Sequence, residues 1–228
     1  MRRRSAGPSF PSNESGRARC TEVRELLNKH GFAGTESILD EWNYVKGWTD
    51  EWLYSLEVQS VRLNQKGAAF TMATMIECQN RPLDMLMYYD ARHSSTMNGL
   101  FDRTTLLPMK GYYPFYAWSK LAALGTQVAA SVIDADAAAA SASDVRAVAA
   151  CGPDGAGTVV VARYADDNNA TATIGVALKI PGADLSRARC HLTDTVRTYT
   201  EVPLEFDADG TAVIRLMPNS FAVVEWGP

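Results

Sequence analysis

The feature that most constrains this chain is a change of periodicity near residue 130. Before it, apolar residues recur at helical spacing or gather in two short runs; after it, the chain breaks into brief segments rich in β-branched residues. A small-residue stretch, residues 135–142, divides the two halves. Beyond it, runs at residues 145–150, 158–164, 171–180, 189–193, 201–206, 211–217 and 220–226 are separated by turn signals such as Gly152-Pro153-Asp154-Gly155, Pro181-Gly182 and Asp207-Ala208-Asp209-Gly210. Short strands at that spacing predict an antiparallel β-sandwich over residues 145–228. This half holds no convergent set of catalytic residues. It reads as a structural cap or as a carbohydrate-binding face.

The first half reads as helices alternating with two strands. Val23, Leu26 and Leu27 predict a helix over residues 21–30, with Gly31 as its stop. Ile38 and Leu39 begin a short buried strand that ends in Asp40-Glu41-Trp42-Asn43. Helical segments follow at residues 51–63 and 67–79; the second is apolar almost all round, with Met72 and Met75 as gap-filling core residues. Asn80-Arg81-Pro82 breaks it, and residues 84–90 form a second apolar strand that delivers Asp90, Arg92 and His93. A helix over residues 112–124 stops at Gly125. Buried strands separated by helices are β/α units of a parallel sheet. Barrel enzymes place their chemistry at the carboxyl ends of such strands, which is where Glu41 stands. A lone glutamate is also a common solvated residue, and both readings of Glu41 remain.

Composition removes several classes of partner. A net charge of −4 and a pI near 5.4 give no basic field for nucleic acid or an anionic membrane surface. No run approaches the roughly 18 apolar residues of a membrane span. Residues 1–20 are expected to be a disordered leader: Met1-Arg2-Arg3-Arg4 has the positive start of a signal peptide, but no apolar stretch follows. Localisation is therefore unassigned, with the cytoplasm as default. Cys20, Cys78, Cys151 and Cys190 form no Cys-x-x-Cys pair, so structural zinc is not expected and four reduced thiols are; export would allow a disulfide whose pairing the spacing does not reveal. No cofactor motif is present. The absence of a Gly-x-Ser-x-Gly elbow excludes an α/β-hydrolase.

Glu41-Trp42-Asn43 after a short strand resembles the nucleophile segment of clan A glycoside hydrolases, most closely the β-xylosidase-like family 39 group. Met87-Tyr88-Tyr89-Asp90-Ala91-Arg92, then Asn98-Gly99-Leu100-Phe101-Asp102 and Lys110-Gly111-Tyr112-Tyr113, are similar to the end of such barrels. The resemblance spans residues 21–228 and implies a division into strands 7 and 8 of a (β/α)₈ TIM barrel with their helices (21–128), a linker (129–144) and a β-sandwich (145–228). It implies a retaining glycosidase without cofactor or metal, with Glu41 as nucleophile. Trp42 and Tyr89 would offer aromatic surface to a glycoside, and Asn43, Asp90 and Arg92 would bond its hydroxyls; Asp90 and Arg92 read equally well as an ion pair. Strict strand alternation would turn Asp40 away from Glu41. A complete barrel takes about 250 residues. The family's acid/base, a Glu after an Asn at a strand end, has no counterpart upstream of Glu41, since Asn13-Glu14 lies in the leader. A truncated barrel, inactive alone and self-associating through uncovered edges, is the expectation; a non-catalytic carbohydrate-binding remnant is the alternative.

Overall fold

The computed structural model describes residues 13–44, 52–95, 97–133 and 144–228; most of the expected leader and linker therefore lies outside the described residues. Among the described residues are four α-helices: α1 (Asn13–Lys29), α2 (Trp52–Leu63), α3 (Gln65–Gln79) and α4 (Tyr113–Leu124). The first begins at Asn13, inside the stretch expected to be disordered. Residues 12–20 hold no proline to stop a helix from extending backwards, and Gly16 costs only about 1 kcal/mol against alanine. Asn64 alone separates α2 from α3, and its Oδ1 accepts the amide of Gln65 at 2.9 Å, capping the second helix. Gly125 ends α4 in the left-handed conformation, φ +79°, as its position just past the apolar run predicts.

Strands β1 (Ile38–Trp42) and β2 (Met85–Tyr88) pair in parallel. They were expected to be buried on both faces, and they are not. Ile38, Met85 and Met87 are each almost half exposed, because among the described residues nothing packs on that side of the pair. The opposite face carries Trp42 and Tyr88 into the protein. At the amino ends of the two strands, Asp84 Oδ2 accepts the Ser37 amide at 2.7 Å and Arg24 Nη2 at 2.9 Å, which ties both to α1.

The rest of the chain forms antiparallel sheets. A six-stranded sheet has the order β3-β4-β5-β11-β7-β8, with β3 (Thr126–Val128), β4 (Val145–Cys151), β5 (Gly157–Arg163), β7 (Arg189–Thr193), β8 (Thr200–Val202) and β11 (Ser220–Trp226). A three-stranded sheet has the order β6-β10-β9, with β6 (Ile174–Leu178), β9 (Glu205–Phe206) and β10 (Ala212–Leu216). Thr126–Val128, assigned from sequence to the helical half, is an edge strand of the larger sheet. The single run expected at residues 201–206 is divided between the two sheets. Pro203, which has no amide proton for a ladder, lies between the pieces.

The central strands β5 and β11 explain the layering. Val159, Val161, Ala222, Val224 and Trp226 point one way, toward Leu178, Ala212, Ile214 and Leu216 of the smaller sheet. Val160, Ala162, Phe221 and Val223 point the other way, onto Ala68, Met72 and Ile76 of α3 and Ala117 and Leu121 of α4. Helices and sheets thus share one continuous body across the linker. Trp226 lies over its cross-strand partner Gly157, where any Cβ would overlap the indole ring. A third, smaller cluster, of the aromatic rings of Tyr44, Phe70 and Tyr164, joins the end of β1 to the end of β5.

Because Phe221 is fully buried where helices meet sheet, Phe221→Ala is expected to lower stability by about 3–5 kcal/mol. The solvent-facing Val196→Ala should change it by no more than about 0.5 kcal/mol. Chemical denaturation of the full chain checks both.

Candidate functional site

The carboxyl ends of β1 and β2 meet at the Trp42–Tyr88 register pair. Between Leu39, opposite Leu86, and Trp42, opposite Tyr88, β1 holds one more residue than β2, so the strand bulges. Asp40 and Glu41 occupy that bulge, and both are exposed. The expectation that alternation turns Asp40 out of the environment of Glu41 does not carry through an irregular strand. Among the described residues, the Glu41 carboxylate has no hydrogen-bond or ion-pair partner.

Two of the expected sugar-binding residues are turned into the protein. Trp42 is only 2% exposed; its ring meets Tyr88 edge-on at 5.4 Å and lies tilted against Phe70 at 6.4 Å. Its indole Nε1 is buried and has no hydrogen-bond partner among the described residues. Burying a large ring against two others releases more free energy than leaving it wet, even with that donor unsatisfied. Asn43 is also buried, and its amide is fully used. Nδ2 donates to the carbonyls of Tyr89 at 2.7 Å and Met97 at 2.6 Å, while Oδ1 accepts the amide of Tyr44 at 2.6 Å. It laces the end of β1 to the end of β2 and to the loop that follows.

Of the remaining expected residues, Tyr89 and Arg92 are exposed and Asp90 is buried. Tyr89 is exposed, and the Tyr89–Asp90 peptide bond is cis. Asp90 is buried and takes three hydrogen bonds from Arg92: the backbone amide on Oδ1 at 3.1 Å, and Nε at 3.1 Å and Nη2 at 2.8 Å on Oδ2. Burial raises the Asp90 carboxyl, but the hydrogen bonds from Arg92 and Ser95 and the Arg92 charge outweigh it and hold the group below the usual range. The Arg92 side chain itself remains open to solvent. Asp90 and Arg92 thus form an ion pair at 2.8 Å. Tyr88 lies beneath, edge-on to Phe115 at 5.3 Å, with burial pushing its phenol well up.

Sequence reasoning did not single out the groups that hold this junction from behind. Arg62, on α2, is buried and donates from Nε to the Tyr44 carbonyl at 3.2 Å. Gly99 sits against both the Tyr88 hydroxyl and the Arg62 side chain, and a Cβ there would collide with each. Asn98 is buried and builds the following loop, accepting the amides of Leu100 and Phe101 at 2.9 and 3.1 Å and donating to the Phe101 carbonyl. An arginine in a helical pattern reads as surface, so only the placement of Tyr44 reveals its role. Among the described residues, no group of three His, Cys, Asp or Glu side chains is placed to hold a metal ion. Among the described residues, no helix is long and apolar enough to cross a membrane.

No family model matches the sequence, and no curated protein does. Solved structures do match in fold. A glucosidase from Croceicoccus marinus is 14% identical with a TM-score of 0.67, over 95% of this chain and 51% of that one. A monomeric β-xylosidase from Caulobacter crescentus is 13% identical with a TM-score of 0.62, over 96% and 50%. The family 39 glycoside hydrolase from Xanthomonas axonopodis pv. citri is 11% identical with a TM-score of 0.61, over 97% and 50%. The chain spans about half the length of these structures. It shares a fold relation with glycoside hydrolases, and at such identities that relation is one of fold alone.

Proposed function

We propose that this chain is the carboxyl-terminal portion of a retaining, β-xylosidase-like glycoside hydrolase of the family 39 type, with Glu41 as its nucleophile. The observation that supports this reading best is the exposed, unpaired Glu41 carboxylate at the carboxyl end of a parallel strand, within a chain that matches half of several glycosidases along nearly its whole length. In this reading β1 and β2 are the last two barrel strands, residues 21–128 are their β/α units, and the two antiparallel sheets are the accessory sandwich. Tyr89, Asp90 and Arg92 then line the sugar site, with Trp42 and Asn43 fixing its floor from beneath.

Retaining hydrolysis needs two carboxyl groups about 5–5.5 Å apart. Glu41 would attack the anomeric carbon as the bond to the leaving oxygen breaks, forming a glycosyl ester. The second group would protonate that oxygen and later take a proton from water as the ester is cleaved. No Asn-Glu strand end precedes Glu41 to supply that proton; Asn13-Glu14 begins a helix. Acid assistance is worth about 10²–10⁴ in rate, and incomplete binding walls forfeit positioning as well. The 228-residue chain is therefore expected to leave xylosides and arabinosides intact. A fluorosugar with a dinitrophenyl leaving group should label Glu41 slowly, as read by peptide mass. Robust turnover of an unactivated disaccharide, abolished in Glu41→Gln, would show that a second carboxylate is present after all. Labelling that persists in Glu41→Gln would remove Glu41 from the site.

A second reading, a non-catalytic carbohydrate-binding module, draws on an open groove of about 650 Å³ beside the smaller sheet, walled by Ile180, Pro181 and the half-exposed Phe206. Loss of xylo-oligosaccharide binding in Phe206→Ala, with Glu41→Gln unaffected, would favour it.

Among the described residues, one face of β1 and β2 is uncovered, with Ile38, Met85 and Met87 exposed beside strand edges that have no partner, and such edges recruit other chains. Sedimentation should show concentration-dependent self-association. A monodisperse monomer over a broad concentration range would refute this.

A further inference from the structure

All four cysteines are free thiols, and the fold decides which of them can meet. Cys190 lies in β7 and Cys151 ends β4, with β5 and β11 between those strands. Three strand spacings of about 4.8 Å hold that pair roughly 14 Å apart, beyond the reach of a disulfide. Cys20 and Cys78 are placed differently. Cys20, Arg24 and Leu27 stand at i, i+4 and i+7 on α1 and form its half-buried face, while Val23 and Leu26 are exposed. The helix packs on α3, whose last turn carries Cys78. Arg24, one turn after Cys20, donates to Asp84 at 2.9 Å and so pins α1 to the chain just beyond α3. There the Arg81 amide donates to the Cys78 carbonyl at 3.0 Å, in the turn that follows α3. The two thiols lie close enough to interact electrostatically, and both feel the Arg81 guanidinium. Each is only partly buried, so a small reagent can reach them.

We propose that Cys20 and Cys78 are a redox-active dithiol, which closes to a disulfide joining α1 to the end of α3. The oxidant is a low-molecular-weight disulfide. One protein thiolate attacks a sulfur of that reagent, forming a mixed disulfide and releasing half of the reagent as a thiol. The second protein thiolate attacks the protein sulfur of the mixed disulfide and releases the other half. Two S–H bonds of the protein and one S–S bond of the reagent thus become one S–S bond of the protein and two S–H bonds of the reagent. Two electrons pass from the protein to the reagent. Arg81 favours both thiolates, but burial outweighs it, raising the Cys20 thiol and pushing Cys78 up to about 11. Both thiols are therefore protonated near neutral pH, and closure is slow, with Cys20 the readier nucleophile. The ring so closed holds all of β1, including Glu41, and adds a covalent tie to the bonds that Arg24 makes with Asp84 and the Ala33 and Thr35 carbonyls.

Thiol mapping of the full chain tests this. The reduced protein is equilibrated with mixtures of reduced and oxidised glutathione, quenched in acid, alkylated in denaturant and digested for peptide mass. In the oxidising mixtures the alkylatable thiols should fall from four to two, with one intrachain Cys20–Cys78 link and with Cys151 and Cys190 still alkylated. Neither Cys20→Ser nor Cys78→Ser should form any intrachain link, and Cys78→Ser should instead accumulate glutathione on Cys20. Four alkylated thiols at the most oxidising ratio would overturn the proposal. So would a link from either residue to Cys151 or Cys190, or a disulfide that joins two chains in place of the intrachain one.

Discussion

The structure depends on two adjacent strands that are apolar on both faces. Burial of β5 and β11 is nearly complete: Val160, Ala162, Phe221, Val223 and Val224 have essentially no exposed surface. Antiparallel strands commonly keep one wet face. Here neither face is wet, because the smaller sheet covers one and α3 with α4 covers the other. Each central residue therefore contributes to one of two cores, and the core facing α3 and α4 draws its members from both sides of the linker.

The seam between helices and sheets is finished by cations reaching to acceptors on the far side. Lys110, before α4, donates to the carbonyls of Asp194 and Thr195. Lys66 of α3 donates to the Asp166 carbonyl at 2.8 Å and to Asn168 Oδ1 at 2.6 Å. Glu77 near the end of α3 accepts Arg146 of β4. Long flexible side chains suit this task, since they satisfy loop carbonyls at a distance while their stems lie along apolar surface. Such ties orient the helices but contribute less than the apolar contact beneath them. The same α3 supplies Phe70, whose ring touches Trp42, Tyr44 and Tyr164, so the carboxyl end of β1 is set by the body that the sheet anchors.

That arrangement bears on the chemistry of the candidate site. Glu41 is exposed while the residues on either side of the junction are held firmly: Trp42 by rings, Asn43 by three backbone groups, Asp90 by Arg92. A reactive carboxylate gains from such a floor, because its neighbours' rotamers are decided by packing and not by the ligand. The open side of β1 and β2 shows the reverse condition. Ile38, Met85 and Met87 stand in solvent, as residues suited to burial do when no layer covers them.

Local pattern alone determined much of this protein. Alternation and turn residues placed β7 and β11 at the residues where they occur, Gly125 marked the end of α4, and Glu41-Trp42-Asn43 was legible as a strand end. Only the tertiary structure decided which faces are covered. That α3 and α4 lie on the sheet, that Thr126–Val128 joins it, and that the chain changes sheets at Pro203 depend on partners far away in sequence. So does the bulge that leaves both Asp40 and Glu41 exposed, and so does the inward turn of Trp42 and Asn43. Periodicity reports the repeat of a segment's own backbone, whereas burial is set by what packs against it. Phe70 lies 28 positions beyond Trp42 and Tyr88 46 beyond, and it is those rings that turn an aromatic residue next to a strand-end carboxylate into part of the core.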